Sequence, residues 1–154
     1  NGIPVPTDST DQLLFDVNSD GQNDIRLILG HDYNWLPAHY GLTFGGLHDR
    51  VKVAVGKQKD LFEWDALVLT EGAEINKELN WQEGSADLWM SDGFTSGGTS
   101  NATGLDDGTH YAAFQLDYNA RKTYGWLKFT KVGLYVFDIS YAYNPRSSIK
   151  AGEK

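Results

Sequence analysis

The C-terminal third of this chain contains three runs of strand-forming residues separated only by short turns. The runs cover residues 111–118, 122–130 and 134–143, and they are rich in Tyr, Phe and Leu. Aromatic and β-branched residues favour strands, and a three-residue connection such as 119–121 is typical of an antiparallel hairpin. The spacing therefore predicts a three-stranded antiparallel meander.

The middle run of the meander predicts which residues share a face, because successive side chains in a strand point to opposite sides. One face carries Thr123, Gly125, Leu127 and Phe129, and the other carries Tyr124, Trp126 and Lys128. A glycine inside a strand indicates a bulge or a close approach of backbone. We expect Gly125 to mark such a point, and Trp126 and Trp64 to lie in the core.

Shorter runs of the same kind predict strands earlier in the chain. They cover residues 12–17, 25–29, 51–55, 66–70 and 86–90, and only the short window 59–64 favours a helix. Glycine supplies 17 of the 154 residues, as a chain with many tight turns requires. Roughly eight short strands predict one all-β domain over residues 1–154, an antiparallel, jelly-roll-like β-sandwich.

Charge and composition exclude several classes of partner. The chain has 21 acidic and 13 basic residues, with a formal charge of −8 and no basic cluster, so nucleic-acid binding is not expected. No stretch approaches the ~20 apolar residues of a membrane span. The chain lacks cysteine, so disulfides cannot staple it. We expect an extracellular protein of this kind to use another staple, such as calcium.

Residues 16–24 are the group of polar residues whose spacing most clearly indicates a chemical role. The positions of a calcium loop are met by Asp16, Asn18 and Asp20 at the first, third and fifth places, by the Gln22 carbonyl at the seventh and by Asp24 at the ninth. Gly21 stands where such a loop turns sharply. Calcium takes about six to eight oxygen ligands, so a short loop must direct several of them at one point. The pattern predicts a calcium site.

The context of this loop distinguishes it from an EF-hand. The twelfth place is Leu27, where an EF-hand supplies a bidentate Glu, and the flanking runs are strands. We therefore predict a strand–loop–strand clip whose remaining ligands come from a more distant carboxylate, backbone oxygens or water. The alternative is an Asx-rich turn stabilised by its own side chains.

Short motifs near both ends of the chain follow one another in an order that recurs in other proteins. After the 16–24 loop come Tyr124-Gly125-Trp126, then Tyr141-Ala142-Tyr143 and Ile149-Lys150-Ala151-Gly152. This order resembles secreted or surface-anchored β-rich proteins of Gram-negative bacteria, including proteins with a PEP-CTERM-type sorting tail and proteins of Bacteroidetes. The resemblance implies a β fold, secretion and calcium, and it carries over no catalytic residue.

Three pairs of carboxylates and four histidines raise the possibility of catalysis or of a transition metal. The pairs are Glu63 with Asp65, Glu71 with Glu74, and Asp117 with Asp138, and the histidines are His31, His39, His48 and His110. Glycoside hydrolysis needs two carboxylates at a set separation, and the runs place Asp117 and Asp138 on neighbouring strands. The histidines lack metal-ligand spacing and are interpreted as scattered loop residues.

Two tryptophans and one long loop are further candidates for binding sites. Trp35 and Trp81 lie among polar residues, and such rings stack on sugars, although most Trp residues in small β domains only pack. The polar segment 91–108 is interpreted as a mobile surface loop. Its alternatives are a flap over a ligand, or a second metal site that uses Asp92, Asp106 and Asp107.

These observations predict a non-catalytic, calcium-binding module that is secreted or held at a bacterial cell surface. Its expected role is extracellular interaction or a structural, adhesive function, with a glycan or a surface protein as partner. A carbohydrate-binding module that uses Trp35 or Trp81 is the first alternative. A glycan-active enzyme with paired carboxylates is the second.

Overall fold

The computed structural model describes residues 3–4, 11–32, 39–58, 61, 64–92, 105–118, 120–133 and 135–154. All regular structure in these ranges is β, which confirms the all-β class, and they contain no helix that could cross a membrane. The strands are β1 (Ile3–Pro4), β2 (Asp11–Phe15), β3 (Ile25–Asp32), β4 (His39–Gly46), β5 (Val51–Gln58), β6 (Trp64–Ala66), β7 (Val68–Leu69), β8 (Glu74–Ile75), β9 (Trp81–Glu83), β10 (Ser85–Asp92), β11 (Gly108–Tyr118), β12 (Arg121–Val132), β13 (Tyr135–Asn144) and β14 (Ile149–Lys150).

Hydrogen bonds connect most of these strands into one curled, mixed sheet with two arms. The first arm has the order β1-β13-β12-β11-β5, and the second has the order β6-β10-β4-β3-β2. The β5–β6 pairing joins the arms, and β10 runs parallel to β6 while the other pairs are antiparallel. β7 and β9 add to β11 and β5, and β8 with β14 forms a separate two-stranded ribbon.

Apolar side chains from both arms meet in one core. Leu27 and Phe44 of the second arm belong to the same fully buried cluster as Val53, Phe114 and Leu127 of the first arm. Burial of such side chains is the main favourable term in folding. A core shared between the arms favours the predicted two-layer sandwich, and its jelly-roll character stays a prediction.

The C-terminal meander is confirmed as β11, β12 and β13, paired in sequence order. The predicted faces of β12 also hold, since Leu127 and Phe129 lie in the shared core while Tyr124 and Trp126 lie in a second cluster. This second cluster covers the outer face of the first arm with residues of β8, β14 and the C-terminal turn. The central parts of β11 and β12 are therefore buried on both faces, whereas much of β13 is exposed.

Strand β4 was not predicted from the sequence, although Leu42 and Phe44 bring it into the core. Its glycine-rich sequence resembles a loop, because Gly45 and Gly46 carry no strand propensity. Neighbouring residues explain these glycines: a Cβ at Gly45 would overlap Ser85, and one at Gly46 would lie 2.7 Å from the Val51 carbonyl oxygen. The helix predicted over 59–64 falls largely outside the described residues, and Trp64 begins β6.

The close approach predicted at Gly125 is confirmed. A Cβ there would overlap the Phe114 ring and lie 2.5 Å from the Ala142 carbonyl oxygen. Both neighbours are held in place, because Phe114 is fully buried and Ala142 belongs to the adjacent strand. No other residue fits this position without moving the sheet.

We predict that Gly125→Ala lowers the free energy of unfolding by about 1–3 kcal/mol, the usual cost of overpacking a core. Chemical denaturation measures this change. Gly56→Ala is the matched control, because Gly56 is an exposed β-strand glycine whose added Cβ would have no neighbour closer than 3.9 Å. Equal stability losses in the two variants would contradict the steric explanation.

Candidate metal site

The 16–24 loop joins β2 to β3 as the sequence predicted. The two strands are antiparallel, and the amide of Asp24 donates to the carbonyl of Phe15 at 2.8 Å to close the loop. Ser19 and Gly21 turn the chain with φ angles of 61° and 89°, in the left-handed region that Gly adopts most easily. The arrangement is a strand–loop–strand hairpin.

Most oxygen-bearing side chains of the loop accept hydrogen bonds from its own backbone. The two Asp16 carboxylate oxygens accept from the amides of Asp20 at 3.2 Å and Gly21 at 2.8 Å. The Asn18 side-chain oxygen accepts from the Asp20 amide at 2.9 Å, and Asp20 Oδ1 accepts from the Gln22 amide at 2.9 Å. The bonds from Gln22 and Asn18 lower the pKa of Asp20. These contacts are those of the Asx-rich turn, and they gather the oxygens on one short segment.

Asp24 differs from the other acidic residues of the loop because its side chain is completely buried. Its Oδ2 accepts a hydrogen bond from the Val17 amide at 3.0 Å, whereas its Oδ1 has no hydrogen-bond partner among the described residues. The imidazole Nε2 of His48 lies 3.9 Å from Oδ1. Burial raises the pKa of Asp24, and the Val17 hydrogen bond opposes that shift. A buried carboxylate oxygen without a partner is costly, and a bound cation would satisfy it.

Residues distant in sequence hold the loop in place. His48 Nε2 lies 2.9 Å from the carbonyl oxygen of Asn23, and the Tyr141 hydroxyl donates to the carbonyl of Asp16 at 3.1 Å. The amide of Leu47 donates to the carbonyl of Asp24 at 2.9 Å. Sequence reasoning missed these contacts, because the contacting residues are between 23 and 125 positions apart and no local pattern marks them.

The donor set fits a hard cation in chemistry, although the described residues do not form a closed cage. Among them, no group of three or more His, Cys, Asp or Glu side chains is arranged to hold a metal ion. Asp16, Asp20 and Asp24 supply carboxylates, and Asn18 and the Gln22 carbonyl supply neutral oxygens. Calcium accepts this mixture of ligands, so calcium binding stays a prediction, and the unpartnered Oδ1 of Asp24 supports it.

The structure describes only one of the two tryptophans that the sequence predicts to stack on sugars. Trp35 lies outside the described residues. Trp81 is half-buried against the second cluster, with its ring 5.5 Å from that of Tyr124. Its indole N–H already donates to the Asn76 carbonyl at 3.1 Å. These contacts favour a packing role for Trp81, and sugar binding at either residue stays a prediction.

The prediction that Asp117 and Asp138 lie on neighbouring strands is wrong. Strand β12 separates the two strands that carry them, and Asp117 lies opposite Lys122 near one end of β12. Asp138 lies at a bulge opposite the stretch between Lys128 and Thr130. Seven residues of strand at about 3.3 Å each separate the two positions by roughly 23 Å along the sheet, which is too far for a shared glycosidic bond.

The remaining carboxylate and histidine candidates form no site among the described residues. Glu71 and Glu74 are both exposed, and Glu63 lies outside the described part of the chain. Nε2 of His110 lies 2.7 Å from the carbonyl oxygen of Asp106, so this histidine makes a local structural contact. Nothing is described of the side chains of His31 and His39.

The predicted loop 91–108 is described only at its two ends, since residues 93–104 lie outside the described ranges. At the C-terminal end, Asp107 Oδ1 accepts hydrogen bonds from Nζ of Lys131 and from the amide of Gly133, both at 2.9 Å. Lys131 is buried, so Asp107 compensates a buried charge. These bonds give Asp107 a structural role, and they do not support the second metal site.

No protein-family model, curated protein or solved structure matches this chain. The resemblance to secreted bacterial β-rich proteins therefore stays a prediction. The geometry of the described residues is the basis on which a function can be proposed.

The Asp107–Lys131 pair makes a pH-dependent contribution to stability. The hydrogen bonds from Lys131 and Gly133 lower the pKa of Asp107 below its ordinary value of 3.8. A carboxylate with a lowered folded-state pKa stabilises the protein above the unfolded value, and that contribution is lost as the pH falls through the folded value. We predict that Asp107→Asn lowers the melting temperature at pH 7, and that the gap to wild type narrows below about pH 3.8.

Asp106→Asn is the matched control, because Asp106 is the exposed neighbour and only its backbone carbonyl makes a described hydrogen bond. Thermal unfolding at several pH values measures both variants. A gap between wild type and Asp107→Asn that stays constant from pH 7 to pH 2.5 would show that the carboxylate charge plays no part.

Proposed function

We propose that this protein is a non-catalytic, calcium-stabilised β module that is secreted or held at a bacterial cell surface and serves extracellular interaction. In this proposal Asp16, Asn18, Asp20, the Gln22 carbonyl and Asp24 hold one calcium ion, which clips β2 to β3. The observation that carries the proposal is the fully buried Asp24 carboxylate, whose Oδ1 has no hydrogen-bond partner in the part of the chain that the structure describes.

Electrostatics makes this arrangement unfavourable without a cation. Burial and the nearby Asp20 charge both raise the pKa of Asp24, so the ionised form is destabilised where it sits. The whole chain adds to the repulsion, because its formal net charge is −8. A divalent cation would reverse the local balance and let the carboxylates approach one another.

The position of the loop explains how one ion would stabilise much of the domain. Asp24 directly precedes Ile25, a fully buried residue of the shared core. On the other side, the Tyr141 hydroxyl binds the Asp16 carbonyl and so links the loop to β13 in the first arm. An ion that fixes the loop would therefore hold the end of the second arm against the first. It would act as a staple in a chain that has no cysteine.

We predict that calcium at about one hundred times its Kd stabilises the wild type by about 2.7 kcal/mol, on the order of 5–10 °C in Tm for a domain of this size. Asp24→Asn should remove most of that gain, because it replaces one carboxylate oxygen with an amide NH₂ group. In chelator the same variant should melt at or above the wild-type temperature, because it no longer buries a charge.

Thermal unfolding with calcium and with chelator tests whether the effect of Asp24→Asn on the melting temperature changes sign between the two conditions. Asp49→Asn is the matched control, because it removes the same charge from an exposed position close to the loop. Melting temperatures of the wild type that do not respond to calcium would contradict the proposal. So would an Asp24→Asn variant that is equally destabilised under both conditions, because that result indicates a purely structural role for the carboxylate.

A further inference from the structure

Strand β13 has an open edge beyond its pairing with β1. β1 pairs only with Tyr135 and Val136, and within the described ranges no strand pairs with the same edge of β13 over residues 138–144. The other edge of β13 pairs with β12 along this stretch. An open edge presents a row of unpaired backbone N–H and C=O groups, which is a template for a further strand.

The contact between β12 and β13 shows which backbone groups face the open edge. A Cβ at Gly125 would lie 2.5 Å from the carbonyl oxygen of Ala142, so this carbonyl points toward β12. In an antiparallel ladder, consecutive residues direct their N–H and C=O groups alternately to one neighbouring strand and to the other. Tyr141 and Tyr143, on either side of Ala142, therefore direct their amides and carbonyls to the open edge.

A cleft of about 650 Å³ follows this edge, and its lining includes the four consecutive residues 140–143. The side chains of Tyr141 and Tyr143 lie on the face of the shared core, whereas those of Ser140 and Ala142 lie on the outer face. A space that is bounded by side chains of both faces runs along the edge of the strand and does not lie over one face alone.

The two sides of the cleft differ in chemistry. On the core side, Val17 of the 16–24 loop and Tyr141 of β13 contribute to the lining, and both present apolar surface. On the outer side, Glu71 and Lys128 contribute charged groups. An occupant of the cleft therefore meets apolar groups on one side and polar groups on the other.

An extended peptide fits all of these features. Its backbone would pair with the open groups of Tyr141 and Tyr143, and its side chains would alternate between the apolar side and the polar side of the cleft. In this mode of recognition the main-chain hydrogen bonds supply affinity, and the pockets for alternate side chains supply specificity.

Charge makes a second copy of this chain a poor occupant of the edge. Each chain has a formal charge of −8. The acidic 16–24 loop lies beside the edge, because the Tyr141 hydroxyl donates to the carbonyl of Asp16. Pairing of β13 with its copy would bring two such loops together, and like charges repel. The same field disfavours an acidic peptide.

We propose that the open edge of β13 binds an extended segment of another protein, which pairs antiparallel with residues 139–144, as β1 pairs with the preceding stretch. The segment alternates apolar residues, which face Val17 and Tyr141, with polar residues, which face Ser140 and Lys128, and it has no net negative charge. This inference deepens the proposed function by naming its partner, and it rests on the extracellular interaction in that function and not on the bound calcium.

The test probes the full chain in calcium-containing buffer with an array of heptapeptides that alternate apolar and uncharged polar residues and are acetylated and amidated at their ends. The affinity of the strongest binder is measured by calorimetric titration. A heptapeptide of the same composition in non-alternating order is the matched control. It should bind about tenfold more weakly or worse, because it places apolar and polar side chains on the wrong sides of the strand.

Backbone N-methylation of the bound peptide separates strand pairing from side-chain contacts alone. Alternate amides of an added strand point to β13, and the others point to solvent. Methylation of one alternate set should weaken binding about tenfold or more, because several hydrogen bonds are lost. Methylation of the other set should leave the affinity nearly unchanged. Equal affinities of the two methylated peptides would overturn the proposal.

Hydrogen exchange locates the bound peptide on the protein. The amides of Tyr141 and Tyr143 should exchange about tenfold more slowly, or slower still, when the peptide is bound. The amide of Ala142 is the internal control, because it faces β12 and should be protected in both states. Binding without protection of Tyr141 and Tyr143 would overturn the proposal.

Two further results would also contradict it. One is that no alternating heptapeptide binds. The other is that the amides of Tyr141 and Tyr143 are already protected without peptide in a way that depends on protein concentration, because that result indicates pairing between copies of this chain. Melting temperatures with calcium and with chelator report separately on the metal proposal, so failure of one proposal is distinguishable from failure of the other.

Discussion

Asp24 makes the hydrogen bonds on which the N-terminal half of this structure depends. Its amide closes the β2–β3 loop on Phe15, its carbonyl receives the amide of Leu47, and its Oδ2 receives the amide of Val17. Three of its four polar atoms therefore organise the backbone around it, and Oδ1 has no hydrogen-bond partner within the described ranges. A buried carboxylate is stabilised by a compensating charge, and this is the physical basis of the calcium proposal.

The loop is also attached to the first arm. The Tyr141 hydroxyl donates to the carbonyl of Asp16, and the Tyr141 ring contacts Phe15 edge-on at 5.6 Å. Tyr141 pairs with Leu127, so its side chain lies on the same face of the sheet as the shared core. These contacts hold the loop of the second arm against strand β13 of the first arm.

Local pattern predicted the parts of the fold that local physics determines. Alternation along β12 gave the correct faces of Leu127 and Trp126, and the glycine at 125 correctly indicated a close approach. Strand β4 was missed because its glycines are explained only by contacts with other strands. The curl of the sheet, the position of His48 beside Asp24 and the separation of Asp117 from Asp138 all depend on long-range pairing, which period and spacing do not encode.

Calcium titration calorimetry on wild type and Asp24→Asn tests the central claim most directly, because it measures the ion itself and does not depend on unfolding. The calcium-clip account predicts one ion per wild-type chain and a large loss of affinity in the variant, with Asp49→Asn unchanged. Absence of calcium binding to the wild type, or equal binding by wild type and Asp24→Asn, would contradict it.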